Sequence, residues 1–205
     1  MPAHTRAVTH SRRTLSRLTS ILVLITAWLA APAAGHAENL LLELLQQPGH
    51  IGLMRHALAP FANAPKSEGV SAETLGPCET QRNLNDVGRA DARRIGELFR
   101  KEGVTFENVF TSKWCRCRET AELIMGRPVE NLPLIDSYYT NPDKARGAAQ
   151  IAALKKYISE KLAPGSRTLF VTHGSLITDL SGNDTNEAEI VIVKADGKGG
   201  IEVIA

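Results

Sequence analysis

Two histidines and two arginines follow short apolar segments of the 205-residue chain. Arg55 and His56 come directly after one such segment, His173 after another, and Arg116 shortly after a third. An imidazole can attack phosphorus, and a guanidinium keeps its charge and matches two phosphate oxygens at once. These residue types at these positions therefore point to the binding or transfer of a phosphoryl group.

Transfer of a phosphoryl group to an imidazole sets further requirements. The attacking ring needs one nitrogen free, so we expect its other nitrogen to be bound to a backbone carbonyl. A second imidazole can hydrogen-bond the phosphate oxygens when it is protonated. The turn at Gly174 and Ser175 would also leave helix N–H groups free to face an anion. An acid has to protonate the leaving oxygen, and water has to attack the phosphohistidine afterwards.

The segments that carry these residues alternate between strand and helix patterns. We predict strands at 50–54, 109–112 and 168–172, an extended segment at 128–134, and a hairpin of 188–195 with 200–204. We predict helices at 40–47, 85–102, 116–125 and 145–162, and a long irregular loop at 57–83. This alternation is typical of an α/β fold, here a three-layer sandwich whose mainly parallel central sheet has helices on both faces. Because ligands bind beyond the carboxyl ends of such strands, we expect the two histidines to meet at one edge of the sheet.

Four segments resemble the signature of the histidine phosphatase superfamily, which has the phosphoglycerate mutase-like fold. They are, in chain order, Leu-Met-Arg-His-Ala at 53–57, the helix start at 84–92, Ser112 to Ala121, and Val-Thr-His-Gly at 171–174. The resemblance implies that His56 is the nucleophile and that Arg55 and Arg116 bind the phosphate. It implies that His173 is a phosphate ligand and electrostatic partner, in a phosphohistidine mechanism that needs no metal and no cofactor.

Two features extend or modify the resemblance. Exported members of the family have a Cys-x-Thr-Gln-Arg-Asn-Leu stretch, to which residues 78–84 are similar. Arg82 of this stretch either reaches the substrate phosphate from the long loop or is an ordinary solvated arginine. Ala57 stands where the family signature has glycine, which narrows the space beside His56 and removes no catalytic group.

The general acid is the residue that the resemblance defines least. Leu134, Ile135 and Asp136 resemble a Leu-x-Glu pattern of the family with Asp in place of Glu. Asp136 is therefore our predicted acid, and the alternative is an ordinary surface aspartate. Glu79 and Glu119 are the other candidates.

Residues 1–37 have the pattern of a secretory signal peptide. Four arginines precede an uncharged apolar run at 21–31, and small residues lead to Ala37. The run is shorter than the roughly 20 residues that span a membrane, although an uncleaved anchor is the alternative. The paired arginines at 12 and 13 also resemble a twin-arginine signal and leave the export route open. We predict a mature domain of residues 38–205, periplasmic or secreted, with no stable membrane span after cleavage.

Removal of the signal peptide changes the charge of the chain. The segment contains four of the 24 basic residues and none of the 22 acidic ones, so the formal net charge goes from +2 to −2. The mature domain then has no basic surplus to hold a nucleic-acid backbone, which disfavours nucleic acid as a partner.

Three cysteines remain in the mature domain. An oxidising compartment favours one disulfide, and Cys78 could pair with either Cys115 or Cys117. Three reduced thiols are the alternative. We interpret the two cysteines that flank Arg116 as structural.

Three functions fit these observations. The first is an exported phosphomonoesterase for a small phosphorylated substrate, which family resemblance and location suggest is a cell-envelope sugar phosphate. A mutase is disfavoured because phosphoglycerates are cytoplasmic. The second is a non-catalytic phosphate- or sugar-phosphate-binding module that retains the pocket, and the third is a metal site using His56, His173 and a cysteine.

Overall fold

The predicted alternation of strands and helices produces a six-stranded sheet in the computed structural model, which describes residues 38–61, 75–138 and 144–205. The chain divides into two units, residues 1–40 and 41–205, and the whole sheet belongs to the second. The predicted signal peptide and residues 62–74 of the predicted loop at 57–83 lie outside the described residues.

The sheet is mixed, and its central part is parallel. The strands are β1 (Ile51–Arg55), β2 (Asn108–Thr111), β3 (Glu130–Asn131), β4 (Thr168–Thr172), β5 (Ile190–Ala195) and β6 (Ile201–Val203). Their order across the sheet is β3-β2-β4-β1-β5-β6. The first four pair in parallel, whereas β5 pairs antiparallel with both β1 and β6. The predicted terminal hairpin is therefore confirmed, and it extends an otherwise parallel sheet.

Helices cover both faces of this sheet, as the sandwich prediction requires. They are α1 (residues 38–45), α2 (Asp86–Lys101), α3 (Cys115–Met125), α4 (Lys144–Lys161) and α5 (Gly174–Ser181). Short 3₁₀ turns occur at Cys78–Thr80 and Pro133–Ile135. Within the described residues, no helix is both long and apolar enough to cross a membrane.

Alternating strand side chains build two separate cores. On one face Met54, Leu169 and Val171 pack with buried residues of α2 and α3. On the other face Leu53 and Phe170 pack with buried residues of α4 and α5. Successive side chains of a strand point to opposite faces, so a strand buried along its whole length, such as β4, is typical of a sheet covered on both sides.

Local signals account for the ends of several helices. Asn85 caps α2, since its side-chain oxygen accepts a hydrogen bond from the Gly88 N–H at 2.8 Å. Gly126 and Gly182 follow α3 and α5 with φ of 67° and 80°, a conformation that glycine adopts without strain. The predicted extended segment at 128–134 is shorter than expected. Pro133 follows the two-residue strand β3, and it lacks the N–H needed to continue pairing.

Candidate active site

The strand order brings the predicted site residues to one edge of the sheet. β1 and β4 are parallel neighbours, and the N–H of His56, just past β1, donates to the Thr172 carbonyl at the end of β4. β2 lies on the other side of β4, so that Ser112 follows it at the same edge. The rings of His56 and His173 lie 5.7 Å apart between centroids, edge to face.

His56 is held in a single orientation by its own neighbour. Its Nδ1 lies 2.8 Å from the Ala57 carbonyl oxygen, which can only accept, so Nδ1 carries the proton and donates. The Ala57 N–H in turn donates to Thr120 Oγ1 at 3.0 Å. The unprotonated Nε2 of His56 is therefore the nitrogen that carries a lone pair. This is the carbonyl contact that the sequence led us to expect for an attacking imidazole.

The surroundings of His56 keep its ring neutral. Burial lowers its pKa well below the usual 6.5, and the charges of Arg116, Arg82 and Arg55 lower it further. The hydrogen bond to Ala57 acts in the opposite direction and is outweighed. At neutral pH the ring is therefore available as a nucleophile without first losing a proton.

Arg82 lies against His56 and is buried, so it is not an ordinary solvated arginine. Its Nη2 is 3.5 Å from Nε2 of His56, and its Nη1 donates to the Ala59 carbonyl at 2.6 Å. Its guanidinium also lies 3.8 Å from the centre of the exposed Phe61 ring. A cation is thus fixed beside the nitrogen that would attack phosphorus.

Arg116 reaches the same place from the first turn of α3. Its Nη2 is 3.4 Å from Nδ1 of His173, and its Nη1 donates to the Arg82 carbonyl at 3.4 Å. The side chain is 5% exposed, so its charge acts in a region from which water is largely excluded. One turn later, Thr120 donates to the Arg116 carbonyl and links this helix turn to the His56 segment.

His173 has partners at both ring nitrogens. Its Nε2 is 2.8 Å from Ser112 Oγ, whereas Nδ1 faces Arg116, which can only donate. The ring therefore accepts at Nδ1 and donates from Nε2, with the indole of Trp114 packed against it at 5.3 Å. Burial, then Arg116, then His56 lower its pKa well below 6.5. In the absence of a ligand, His173 is neutral.

Arg55 occupies the rim of the site rather than its centre. Its Nη1 donates to the Thr185 carbonyl at 2.5 Å, and its Nη2 lies 3.3 Å from Oε1 of Glu187. Its Nε is buried and, among the described residues, has no hydrogen-bond partner. Gly174 allows this arrangement, because a Cβ at that position would lie 3.3 Å from Cδ of Arg55.

Asp136 is buried, which removes the alternative of an ordinary surface aspartate. Its Oδ1 accepts hydrogen bonds from the Lys113 N–H at 2.7 Å and from the Asn131 side chain at 3.4 Å. Burial raises its pKa, while hydrogen bonds from Lys113, Asn131 and Ser112 act against that rise. Asp136 is thus joined to His173 through Ser112.

The rival carboxylates have other surroundings. Glu79 is exposed, and Glu119 accepts from Arg89 Nε at 2.6 Å in an ion pair.

The three cysteines of the predicted mature domain form one disulfide and leave one free thiol. Cys78 and Cys115 form a disulfide, and Cys117 is a buried free thiol. The Cys117 Sγ lies 3.5 Å from Nε2 of His173, but burial raises the pKa of the thiol to about 12. It therefore stays protonated and does not compete with His56 as a nucleophile. Across residues 38–61, 75–138 and 144–205 there is no group of three or more His, Cys, Asp or Glu that could hold a metal ion.

Several contacts of the site were not apparent in the sequence. Glu187 and Thr185 bind Arg55 across a separation of more than 100 residues, and no local pattern marks either of them. The Gln81 side chain accepts a hydrogen bond from the Cys115 N–H, and no sequence pattern indicated this contact although Gln81 directly precedes Arg82. Trp114 packs on the His173 ring, and its sequence signal was a large aromatic residue two positions before Arg116, a residue type that is mostly buried.

A family model and several solved structures match this chain. A family model, the histidine phosphatase superfamily (branch 1), matches residues 51–136. The protein histidine phosphatase SixA, solved with tungstate, is 21% identical with a TM-score of 0.52, over 76% of this chain and 94% of that chain. A phosphoglycerate mutase from Bacillus anthracis is 15% identical with a TM-score of 0.57, over 78% and 94% of the two chains. A mycobacterial glucosyl-3-phosphoglycerate phosphatase, solved with VO3, is 12% identical with a TM-score of 0.52, over 76% and 97%. No curated protein sequence matches the chain.

Proposed function

We propose that this chain, whose residues 51–136 match the histidine phosphatase superfamily model, is a phosphomonoesterase of that superfamily that forms a phosphohistidine on His56. One observation carries the proposal. His56 is fixed by its Nδ1 hydrogen bond to Ala57, and its free Nε2 lies 3.5 Å from a buried guanidinium. A neutral, oriented nucleophile beside a fixed cation is the arrangement that phosphoryl transfer to imidazole requires.

In the first step the phosphate of the substrate binds among the three arginines. Arg82 and Arg116 neutralise its oxygens from within the site, and Arg55 does so from the rim through its buried Nε. The lone pair of His56 Nε2 attacks phosphorus, a P–N bond forms, and the bond to the ester oxygen breaks. Because the donors are already in place, little reorganisation is needed as charge moves onto the equatorial oxygens.

His173 acts as the electrostatic partner. Without ligand it is neutral, with Nδ1 facing Arg116 and Nε2 facing Ser112. A phosphate dianion nearby favours the charged form of the ring, so binding raises the pKa of His173 and allows it to donate to a phosphate oxygen. Substrate binding is therefore coupled to uptake of a proton.

Asp136 is our candidate for the acid that protonates the leaving oxygen. Its raised pKa favours the protonated form, and Ser112 connects it to His173. In the second step the carboxylate accepts a proton from water, which attacks phosphorus, breaks the P–N bond and releases inorganic phosphate. His56 then returns to its neutral state.

The substrate is a small phosphate ester met outside the cytoplasm, and we assign it to the phosphorylated sugars of the cell envelope. The signal-peptide pattern at 1–37 supports export. The Cys78–Cys115 disulfide also supports it, because such bonds persist in oxidising compartments.

A non-catalytic phosphate-binding module is the second candidate. The position of Asp136 favours it, because the proposed acid accepts its described hydrogen bonds from Lys113, Asn131 and Ser112 and makes none with His56. Such a module would bind the phosphate of its ligand without ever forming a P–N bond.

Turnover of an aryl phosphate in EDTA separates these functions. The proposed enzyme releases inorganic phosphate under these conditions, and His56→Ala abolishes the release. Tungstate, with which SixA was solved, serves as a phosphate-like competitor. Intact protein that binds tungstate but releases no phosphate would favour the binding module. Turnover that EDTA removes would contradict the metal-free mechanism.

A further inference from the structure

The segment that carries Arg82 is fastened to the start of α3 on both sides of that residue. We call residues 75–84 the Arg82 segment. The disulfide joins its Cys78 to Cys115, the first residue of α3, across 37 positions of sequence. The Asn83 side chain donates to the Cys78 carbonyl at 2.6 Å, so the residue after Arg82 is tied to the bridged cysteine.

Gln81, the residue before Arg82, makes a second connection to α3. Its side-chain Oε1 accepts from the Cys115 N–H at 2.9 Å, and its Nε2 donates to the Gly76 carbonyl at 2.7 Å. The first N–H groups of a helix need acceptors from outside the helix, and the Trp114 side chain at the N-cap supplies none. Gln81 therefore caps α3 from another segment and is itself buried.

A third connection passes through Arg82 itself. Its carbonyl accepts from Nη1 of Arg116 at 3.4 Å, while its own guanidinium lies against His56. The two site arginines thus belong to two segments that are held together by a covalent bond, a cap and a backbone contact. The position of one guanidinium relative to the other depends on these links.

We propose that the Cys78–Cys115 disulfide and Gln81 are positioning elements that hold Arg82 beside Nε2 of His56, so that turnover depends on the oxidised bridge. This inference rests on the proposed phosphatase function. Misplacement of a group by about 1 Å through a remote change can cost on the order of 100-fold in rate, and an unanchored loop arginine also regains rotamer freedom.

The bridge is open to a reductant. A cavity of about 270 Å³ borders both cysteines, together with Gln81, Ser112 and Arg118. A dithiol that enters it transfers two electrons and two protons to the two sulfurs, which become the thiols of Cys78 and Cys115. The dithiol itself is oxidised to a cyclic disulfide.

The test is a double-mutant cycle on the full chain, purified without reductant and assayed with an aryl phosphate well below its unfolding temperature. We expect dithiothreitol to lower kcat/KM about 10-fold in wild type, and Cys78→Ala with Cys115→Ala to lower it equally. The double cysteine variant then no longer responds to dithiothreitol. In an Arg82→Ala background, neither reduction nor the cysteine changes lower kcat/KM further, because the group they position is absent.

Two further readouts distinguish positioning from general loosening. Since Arg82 lowers the pKa of His56, its displacement moves the acid limb of kcat/KM to higher pH. Gln81→Glu keeps an oxygen acceptor for the Cys115 N–H and retains more activity than Gln81→Ala.

The inference is overturned if breaking the bridge leaves kcat/KM unchanged, or lowers it by the same factor with and without Arg82. An oxidised, folded wild type with no phosphatase activity would instead contradict the proposed function itself.

Discussion

The strand ends of β1 and β4 place two buried histidines 5.7 Å apart, yet the two rings have different hydrogen-bond partners. His56 has one nitrogen bound to a neutral carbonyl, and its other nitrogen carries a lone pair beside Arg82. His173 has both nitrogens engaged, by Ser112 and Arg116. Burial is similar for both rings, so their hydrogen-bond partners distinguish the imidazole that we propose to attack phosphorus from the one that we propose to support it.

Replacement of each histidine in turn by alanine tests the difference between the two rings most strongly. We expect His56→Ala to lower kcat on the order of 10⁴-fold or more, because no nucleophile remains. We expect His173→Ala to lower it about 10²- to 10³-fold, the size of effect of one donor to a developing charge. Steady-state assays in EDTA provide both numbers. Equal losses in the two variants would show that the rings act as one unit.

Replacement of the proposed acid should depend on the leaving group. Asp136→Asn cannot donate a proton, so we expect kcat/KM for an alkyl or sugar phosphate to fall about 10²- to 10⁴-fold. An aryl phosphate with a good leaving group should lose less than about 10-fold in the same variant. If both substrates lose the same factor, Asp136 has a structural role and the acid lies elsewhere.

The arginines extend the comparison from the centre of the site to its rim. Arg116 is buried against His173, so Arg116→Ala should lower kcat/KM by about 10²- to 10³-fold. Arg55 is partly exposed and already binds Thr185 and Glu187, so we expect roughly a 10-fold loss for Arg55→Ala. Competition by tungstate provides an independent measure of anion affinity. A larger loss for Arg55 than for Arg116 would contradict this ranking.

The smallest expected effect is on the pH dependence of stability. Both histidines have a pKa well below 6.5 in the folded protein, so the unfolded chain binds more protons as pH falls below 6.5. Each ring then reduces the free energy of unfolding by about 1.4 kcal/mol per pH unit, until the pH reaches its folded pKa. Urea titrations at several pH values should show a shallower slope in His56→Asn and in His173→Asn. An unchanged slope in both variants would contradict the neutral, buried state of the rings.

The sequence predicted the sheet well wherever one strand is buried on both faces. β4 has the predicted bounds, because five apolar or β-branched residues end abruptly at His173. α2 begins at Asp86, within one residue of the predicted start at 85, because Asn85 caps it. β3 was predicted less well, since its pairing with β2 covers only two residues and its side chains are exposed.

The site was harder to predict wherever it depends on distant contacts. Asp136 directly follows the 3₁₀ turn at Pro133–Ile135 and accepts a hydrogen bond from the distant Lys113 N–H. No short sequence pattern predicts its burial. The sequence left two locations open for Arg82, at the site or in solvent, because this residue lies in the long predicted loop at 57–83. The Cys78–Cys115 bridge, one of two pairings that the sequence allowed, selects the buried one.

The central claim is that Nε2 of His56 carries the phosphoryl group during turnover. We would mix the protein with an aryl phosphate, quench within milliseconds in alkaline denaturant, which preserves phosphohistidine, and locate the phosphate by peptide mass spectrometry and ³¹P NMR. The account predicts one phosphate per chain on Nε2 of His56, formed with a burst of the aryl alcohol and lost on further turnover. Phosphate on Nδ1 or on His173, or turnover with no covalent intermediate under conditions that preserve one, would contradict it.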